Sequence, residues 1–294
     1  MATFTTYNSI GMKEDVSDII SDITPTDTPM STMMKTEKVT ARTFSFLEDS
    51  LRAAGANAKV EGADSASITL GNPTERSNTT QILSETFQIS SSSDAVSTYG
   101  RAKETAYQLG RTLKNIKRDL EFAYVGAAQA TVVGNASTAR KMTSLINQIT
   151  TAVDSGANAS DPLTEAKLLV AGQTAFTNGS DPSVLMIKPA DSLLVASMAA
   201  ASGRNREIAQ GKTLVNVVDI YVSPFGTYKV VLNRHMLATV ALLIDPSMFK
   251  QCVLRPFTRT LLAVTGDAKS HMVVGEYSCK HTNFGDSVKI TNLS

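Results

Sequence analysis

Cys279 and His281 stand two residues apart in the run SHMVVGEYSCKHTN, whose alternation is that of a strand, so both side chains fall on one face. A thiol beside an imidazole is the raw material of a nucleophile–base pair. Neighbours along one strand rarely reach each other with the required geometry, and no carboxylate is placed to orient the ring. The other histidines, His235 and His271, complete no H-x-x-x-H or H-E-x-x-H pair, which excludes a helical metal site of that kind. His235 follows Arg234 at a strand edge and reads as structural or surface-exposed. Cys252 and Cys279 are the only cysteines, too few and too far apart for a zinc cage or a disulfide framework, and read as reduced thiols.

Three further clusters carry charge or phosphate-loop character. Gly211-Lys212-Thr213 has the ending of a phosphate loop, but Arg206 stands where the motif needs its first glycine, and no clear strand precedes it. The surrounding SGRNREIAQGKT, with Arg204, Arg206 and Lys212, reads as a solvated or interface loop. Glu14, Asp15, Asp18 and Asp22 are an acidic cluster without the EF-hand spacing or its glycine. Arg101, Lys103, Arg111, Lys114, Lys117 and Arg118 lie on the polar side of a helical stretch and could meet DNA phosphates. Glu104, Asp119 and Glu121 are interspersed among them, the pattern of an ordinary solvated helix face. No set of residues assembles a catalytic site, and no cofactor or metal is expected.

The composition fits that conclusion. The chain has 294 residues, 42% hydrophobic and 19% charged, enough for one large domain or two moderate ones. With 28 basic against 27 acidic residues, no global field attracts or repels nucleic acid. Tryptophan is absent. The opening MATFTTYNSIGMKED lacks a basic region followed by an apolar one, so no secretory signal is expected. No apolar run approaches the roughly 18–20 residues that span a bilayer. Synthesis in the cytosol is expected.

The elements that must position these residues begin with a strand-like run, VTARTFSF, with Val39, Ala41 and Thr43 on one face and Phe44 and Phe46 on the other. A second, TQILSETFQIS, alternates through Leu83, Phe87 and Ile89. About thirty Gly-, Ala-, Ser- and Asn-rich residues separate them, and a loop that long in a compact domain is usually functional or disordered. The two runs read as the base of a long projecting hairpin. From Asp94 to Val125 no proline occurs, and Tyr99, Ala102, Ala106, Leu109, Leu113, Ile116, Leu120 and Ala123 recur three and four apart. That spacing predicts one helix, on the order of 45 Å long, with Ser93 or Asp94 as cap and Gly126 as stop.

Met142–Ile149 is a shorter apolar segment. Beyond it, LTEAKLLVAGQTAFTN and ADSLLVASMAAAS read as helices. SVLMIKP, LVNVVDIYVSP, GTYKVVLN, TVALLID, QCVLRPFTRTLLAVT, SHMVVGEYSCKHTN and GDSVKITNL read as strands. The fold class is α+β with mostly antiparallel strands. The start of the chain is different again. VSDIISDITPTDTPMSTMM carries Ile19, Ile20, Ile23, Met30, Met33 and Met34, too apolar for a solvated tail, while Pro25 and Pro29 forbid a long helix. Such an extended, adhesive arm needs a surface, and a second copy of the chain is the expected one, with its own body the alternative.

The order of parts (adhesive arm, projecting hairpin, one very long helix, strand-rich α+β closure) resembles the Hong Kong 97-type major capsid protein of tailed double-stranded DNA bacteriophages. It is similar to the branch without a fused scaffolding domain. The segments that carry the resemblance are EDVSDIISDITPTDTPMSTMM, LRAAGANAKVEGADSASITLGNPTERSNTTQI, GRAKETAYQLGRTLKNIKRDLEFAYVG and VVGEYSCKHTNFGDSVKITNL, so it spans nearly the whole chain.

The resemblance implies an N-arm at 1–38, an E-loop at 39–92, and a P-domain at 93–159 with a spine helix at about 94–126. It further implies an A-domain at 160–250 and return strands of the P-domain at 251–294. The implied function is self-assembly, without catalysis, into hexamers and pentamers of an icosahedral head shell enclosing the phage genome. The implied location is the virion, after synthesis in the host cytoplasm. An encapsulin-like or other self-assembling protein, or an α+β enzyme of unrecognised type, are the alternatives. Expected partners are further copies, a portal, a scaffold supplied as a separate protein, and cement proteins. Subunit-interface candidates are Ile19, Ile20, Ile23, Pro25, Pro29, Met30, Met33 and Met34 in the arm. Lys59, Val60 and Glu61 near the hairpin tip, and Arg204, Arg206 and Lys212 in the later loop, complete the set. Relatives that cross-link subunits join a Lys to an Asn; Lys59 sits where such a lysine would, as would any solvated one. Deleting residues 1–36 is expected to leave a folded subunit that cannot close shells.

Overall fold

The computed structural model describes residues 27–62, 64, 71–96, 103–154, 161–201, 220–264 and 266–293. The helix expected from Asp94 is two helices. α2 (Ser91–Ala95) is capped by Ser90, whose hydroxyl accepts the Ser93 N–H, and it ends at Val96 in extended backbone. α3 (Glu104–Glu121) starts after Lys103, which is also extended and gives no side-chain cap. Asp94 supplies the cap instead, from the neighbouring helix: its carboxylate accepts the Thr105 N–H at 3.3 Å and the Thr105 hydroxyl at 3.0 Å. Those two bonds hold the Asp94 carboxyl below the usual carboxylate range. The apolar stripe holds only over the second part: Ile116, Leu120 and Ala123 are buried, Leu109 and Leu113 half-buried, and Ala106 is exposed. Tyr99 and Ala102 lie outside the described residues.

α3 runs into a π-helical turn, Phe122–Gly126, closed by the Ala127 N–H on the Phe122 carbonyl. Gly126 is the expected stop, for a reason of space: a Cβ there would meet the Phe122 ring and lie 2.5 Å from the His235 carbonyl. Gly126→Ala is expected to cost about 2–3 kcal/mol by overpacking, read as a lowered urea midpoint.

Among the described residues, the strands form three sheets. β1 (Lys35–Lys38), β4 (Gln81–Ser90), β10 (Phe249–Leu261) and β11 (Ala268–His281) make a four-stranded sheet in the order β1-β10-β11-β4. Its β1–β10 pair is parallel and the others antiparallel. α3 lies on β4, whose Leu83, Glu85, Phe87 and Ile89 alternate toward it, and Asn115 donates to Glu85 across that contact.

β5 (Thr151–Asp154), β6 (Val184–Ile187), β7 (Ile220–Ser223), β8 (Gly226–Leu232), β9 (Ala241–Ile244) and β12 (Val288–Thr291) form a six-stranded sheet in the order β5-β12-β9-β6-β8-β7. All four residues of β6 and of β9 are buried, as central strands covered on both faces require. Leu185, Ile187, Ala241 and Leu243 meet α4 (Glu165–Thr177, capped by the Thr164 hydroxyl) and α5 (Pro189–Ala201). Val184, Met186, Leu242 and Ile244 turn the other way, into a core shared with α3 and with Phe249 and Cys279 of the four-stranded sheet. The two sheets are thereby joined through one apolar cluster.

Two pairings differ from expectation. β2 (Thr43–Glu48) pairs with β3 (Thr74–Thr79) and not with the TQILSETFQIS strand. The reason is burial: Leu83, Phe87 and Ile89 are needed under α3, whereas TERSNT can stand half in solvent. The chain's last strand, β12, and also β5 belong to the six-stranded sheet, whereas the expected boundaries put both 251–294 and 93–159 in the layer around the spine helix.

Candidate functional site

The hairpin β2–β3 is rooted by a column of rings. His281 stacks on Phe249 with ring centroids 4.2 Å apart and on Phe284 at 5.8 Å. Phe284 meets Phe46 of β2 at 6.0 Å and lies under the Arg76 guanidinium of β3 at 4.7 Å. Glu48 ties the same parts with charge, accepting Arg76 Nε at 2.8 Å and the Phe284 N–H at 2.9 Å. Lys280 stands over the Phe46 ring at 5.1 Å. Cation–ring contacts and a half-buried ion pair together fix the angle at which the hairpin leaves the body.

Beyond this root the chain is exposed. Leu47 is 70%, Leu51 98% and Val60 80% exposed, and Lys59 and Glu61 are exposed beside them, in a stretch without regular structure from Asp49 to Val60. Lys59, Val60 and Glu61, expected near the hairpin tip, lie in this exposed stretch.

The arm is only partly what the sequence suggests. Ile19, Ile20, Ile23 and Pro25 lie outside the described residues. Pro29 begins a short helix, α1 (Pro29–Met33), at the position where its missing N–H costs nothing. Met30 is wholly buried and Met34 is 6% exposed, both in the chain's own core beside Leu120, Tyr124 and Phe249, with Met33 packed at its margin. The expectation that these methionines lie on a second copy is corrected by this placement. They are intramolecular because Glu121 draws α1 onto α3: its carboxylate accepts Met30 N–H (2.8 Å), Ser31 N–H (2.9 Å), the Ser31 hydroxyl (2.6 Å) and Asn233 Nδ2 (2.7 Å). Glu121 itself, placed by the sequence on the solvated face, is completely buried. Arg204, Arg206 and Lys212 lie outside the described residues.

Cys279 and His281 share a face of β11 (Ala268–His281), as expected, but they make no catalytic pair. Cys279 is fully buried and holds polar contacts with Gln148 Nε2 (3.1 Å) and the Thr143 carbonyl (3.2 Å); burial pushes its thiol well above the usual range. Burial also pushes the Cys252 thiol up to about 12. Neither thiol can supply a thiolate near neutral pH. The edge of β11 beyond β4 is completed by side chains. Asn78 donates to the Cys279 carbonyl at 2.7 Å, and Gln148 accepts the His281 N–H at 2.9 Å.

Burial pushes the His281 pKa down to about 4, below the unfolded value near 6.5. The unfolded chain therefore takes up a proton that the folded chain refuses as pH falls through that window. Stability is full above about pH 6.5 and is expected to drop by about 3 kcal/mol on acidification to pH 4 from this group alone. His281→Phe, which keeps the stack, should remove that part of the slope in urea midpoints measured between pH 4 and 7.

The profile of the family described as SU10 major capsid protein matches residues 1–294, hairpin, helix and both sheets included. The chain belongs to the SU10 major capsid protein family. It is 28% identical, over 330 residues, to the major capsid protein of Escherichia phage Phieco32, covering 95% of this chain and 94% of that one. The solved cyanophage A-1(L) capsid asymmetric unit is similar with a TM-score of 0.69 at 12% identity, over 98% of both chains. The holo-SrpI encapsulin complex from Synechococcus elongatus PCC 7942 is similar at 0.61 and 10% identity, over 100% of this chain and 97% of its own. At such identities the structural likeness shows the fold alone, the Hong Kong 97-type α+β fold that capsids and the encapsulin share. Family membership separates the two: this SU10-family chain is a phage major capsid protein, a virion component that builds the icosahedral shell.

Proposed function

We propose that hexamers and pentamers of this chain close a head shell around a double-stranded DNA genome, with the hairpin and residues 1–26 reaching neighbouring copies. The observation that carries this reading is the set of exposed apolar side chains, Leu47 on β2 and Leu51 and Val60 beyond it, on a segment that leaves its own body. Covering such side chains on another copy lowers the free energy at about 25 cal/mol per Å² of apolar surface. Repeated around a closed shell, contacts of that modest size sum. In this reading α3 (Glu104–Glu121) and the four-stranded sheet are the peripheral domain. The six-stranded sheet is the axial domain, whose loop with Arg204, Arg206 and Lys212 meets its equivalents at the capsomer axis. A portal, a separate scaffold and cement proteins complete the particle, and the chain performs no catalysis.

Electron microscopy of the purified full-length protein tests the reading, with closed icosahedral particles as the expected result. Replacing residues 50–72 by Asn-Gly should leave the thermal midpoint unchanged and reduce closed particles at least about tenfold. Closed shells at normal yield from that variant would remove the hairpin from the assembly mechanism.

A further inference from the structure

The two helices that cover the six-stranded sheet lack the side that a helix in water carries. On α4 (Glu165–Thr177) Val170 is 47% and Phe176 65% exposed, and on α5 (Pro189–Ala201) Leu193 is 72% exposed. Among the described residues, no exposed position on either helix bears a formal charge. Their charged groups are engaged within the chain. Glu165 accepts the Tyr221 hydroxyl at 3.3 Å, Lys167 donates to the Pro162 carbonyl at 2.8 Å, and Asp191 is buried 3.6 Å from Lys188. α3 (Glu104–Glu121), by contrast, exposes Arg111, Lys114, Lys117 and Asp119. The other side of the same sheet is bare at one end. Val184, Met186, Leu242 and Ile244 of β6 and β9 are covered there by the core shared with the four-stranded sheet. β7 and β8 run past that cover, leaving Ile220 59% and Val222 51% exposed, opposite Lys229 and Thr227.

We infer that, within a capsomer, the helix layer of one copy seats on the β7–β8 face of the next. This rests on the capsomer reading above. A helix without a polar side belongs in an interior, and in a shell the surface at hand to cover it is a second copy. A ring forms only when two different patches of one subunit meet across each contact; like patches meeting stop at a pair. The helix layer and the β7–β8 face are two such patches, on opposite sides of one sheet. A head-to-tail contact covers both and presents the same two faces to the next copy. Helix layer against helix layer would leave Ile220 and Val222 in water. The shapes agree, since the helices are convex and the overhanging strands make a step beside the body. Lys229 is the formal charge on that step, and its stem can lie along the apolar floor with the ammonium at the rim.

Two measurements test the inference. In the first, closed particles of full-length F176C/V222C are treated with a short bismaleimide and separated under denaturing conditions. Cys252 and Cys279, the only other cysteines, are fully buried and give no background. A ladder of linked chains ending at pentamers and hexamers is expected. Particles co-assembled from F176C and V222C chains should give linked pairs and nothing longer, and particles of either single variant should give none. Pairs from F176C alone would mean that like helices face each other; no linkage in the double variant would mean that the two faces stand apart. Either result overturns the inference. In the second, L193K and V222E each place a charge on one face, at a side chain already in water, so the melting of the purified subunit should not change. Each should lower the yield of closed particles at least about tenfold, and the L193K/V222E pair, with opposite charges brought together, should recover most of it. Full yield from either single variant, or no recovery in the pair, would count against the contact. Absence of closed particles from the unaltered protein would instead overturn the capsid reading.

Discussion

A chain lacking residues 1–36 will fail to fold stably, whereas one lacking residues 1–26 will fold normally and lose the ability to close shells. The longer deletion removes Met30, wholly buried, and Met34, 6% exposed, from the cluster that joins the two sheets. Emptying a buried methionine site costs about 2–5 kcal/mol, so the pair accounts for about 4–10 kcal/mol. It also strips Lys35 and Thr36 from β1 (Lys35–Lys38), leaving the β10 edge without its parallel partner over half the register, and orphans the Glu121 carboxylate that Met30 and Ser31 satisfy. The total is comparable with the whole stability of an ordinary domain, about 5–15 kcal/mol. The shorter deletion touches none of these contacts. Thermal unfolding of both truncations, with electron microscopy of the products, separates a folding role from an assembly role. A long truncation that melts with the full chain would refute the first assignment, and normal shells from the short one would refute the second.

The same methionines show how far the sequence could be read. Their types and spacing establish that this segment must be buried, and it is. What they could not tell is on which molecule, because an apolar side chain is indifferent to whether its cover is covalently connected. The deciding residue, Glu121, falls by helical angle among solvated positions; it is buried only because the helix end is wrapped on all sides, with Ala123, Tyr124, Val125 and Gly126 also buried. A three-and-four spacing rule assumes one exposed face and does not describe such an end. Hairpin pairing failed for a related reason. The run through Leu83, Phe87 and Ile89 was legible as a strand, but its partner β11 (Ala268–His281) is remote in sequence and the alternation of two strands does not specify which pair. Asn78 and Gln148 were invisible, since single amides that complete a strand edge leave no periodic trace. By contrast the order of large parts was legible, because arm, hairpin, long helix and strand-rich closure each need tens of residues of consistent pattern.

Glu121→Ala is expected to be the most damaging point substitution in the molecule. One carboxylate accepts four hydrogen bonds from three residues in two separate places in the chain, at 2.6–2.9 Å, with no exposure to water. Truncation leaves the Met30 and Ser31 amides and the Asn233 side-chain amide without their acceptor, and each buried donor so abandoned costs about 1–3 kcal/mol. A loss of about 4–6 kcal/mol should follow, read as a lowered urea midpoint at unchanged slope. Glu121→Gln separates acceptor chemistry from volume. Its remaining oxygen can keep Met30 and Asn233, while the Ser31 hydroxyl can turn to accept from the new amide, so only the Ser31 N–H is opposed. That variant should lose about 1–3 kcal/mol, between the unaltered protein and the alanine form. Hydrogen exchange at Met30 and Ser31 should quicken in both, since those amides are protected only through this carboxylate. If glutamine and alanine proved equally costly, the negative charge and not the count of acceptors would hold α1 (Pro29–Met33) to the end of α3. If neither moved the midpoint, the start of the arm would be held by its methionines alone.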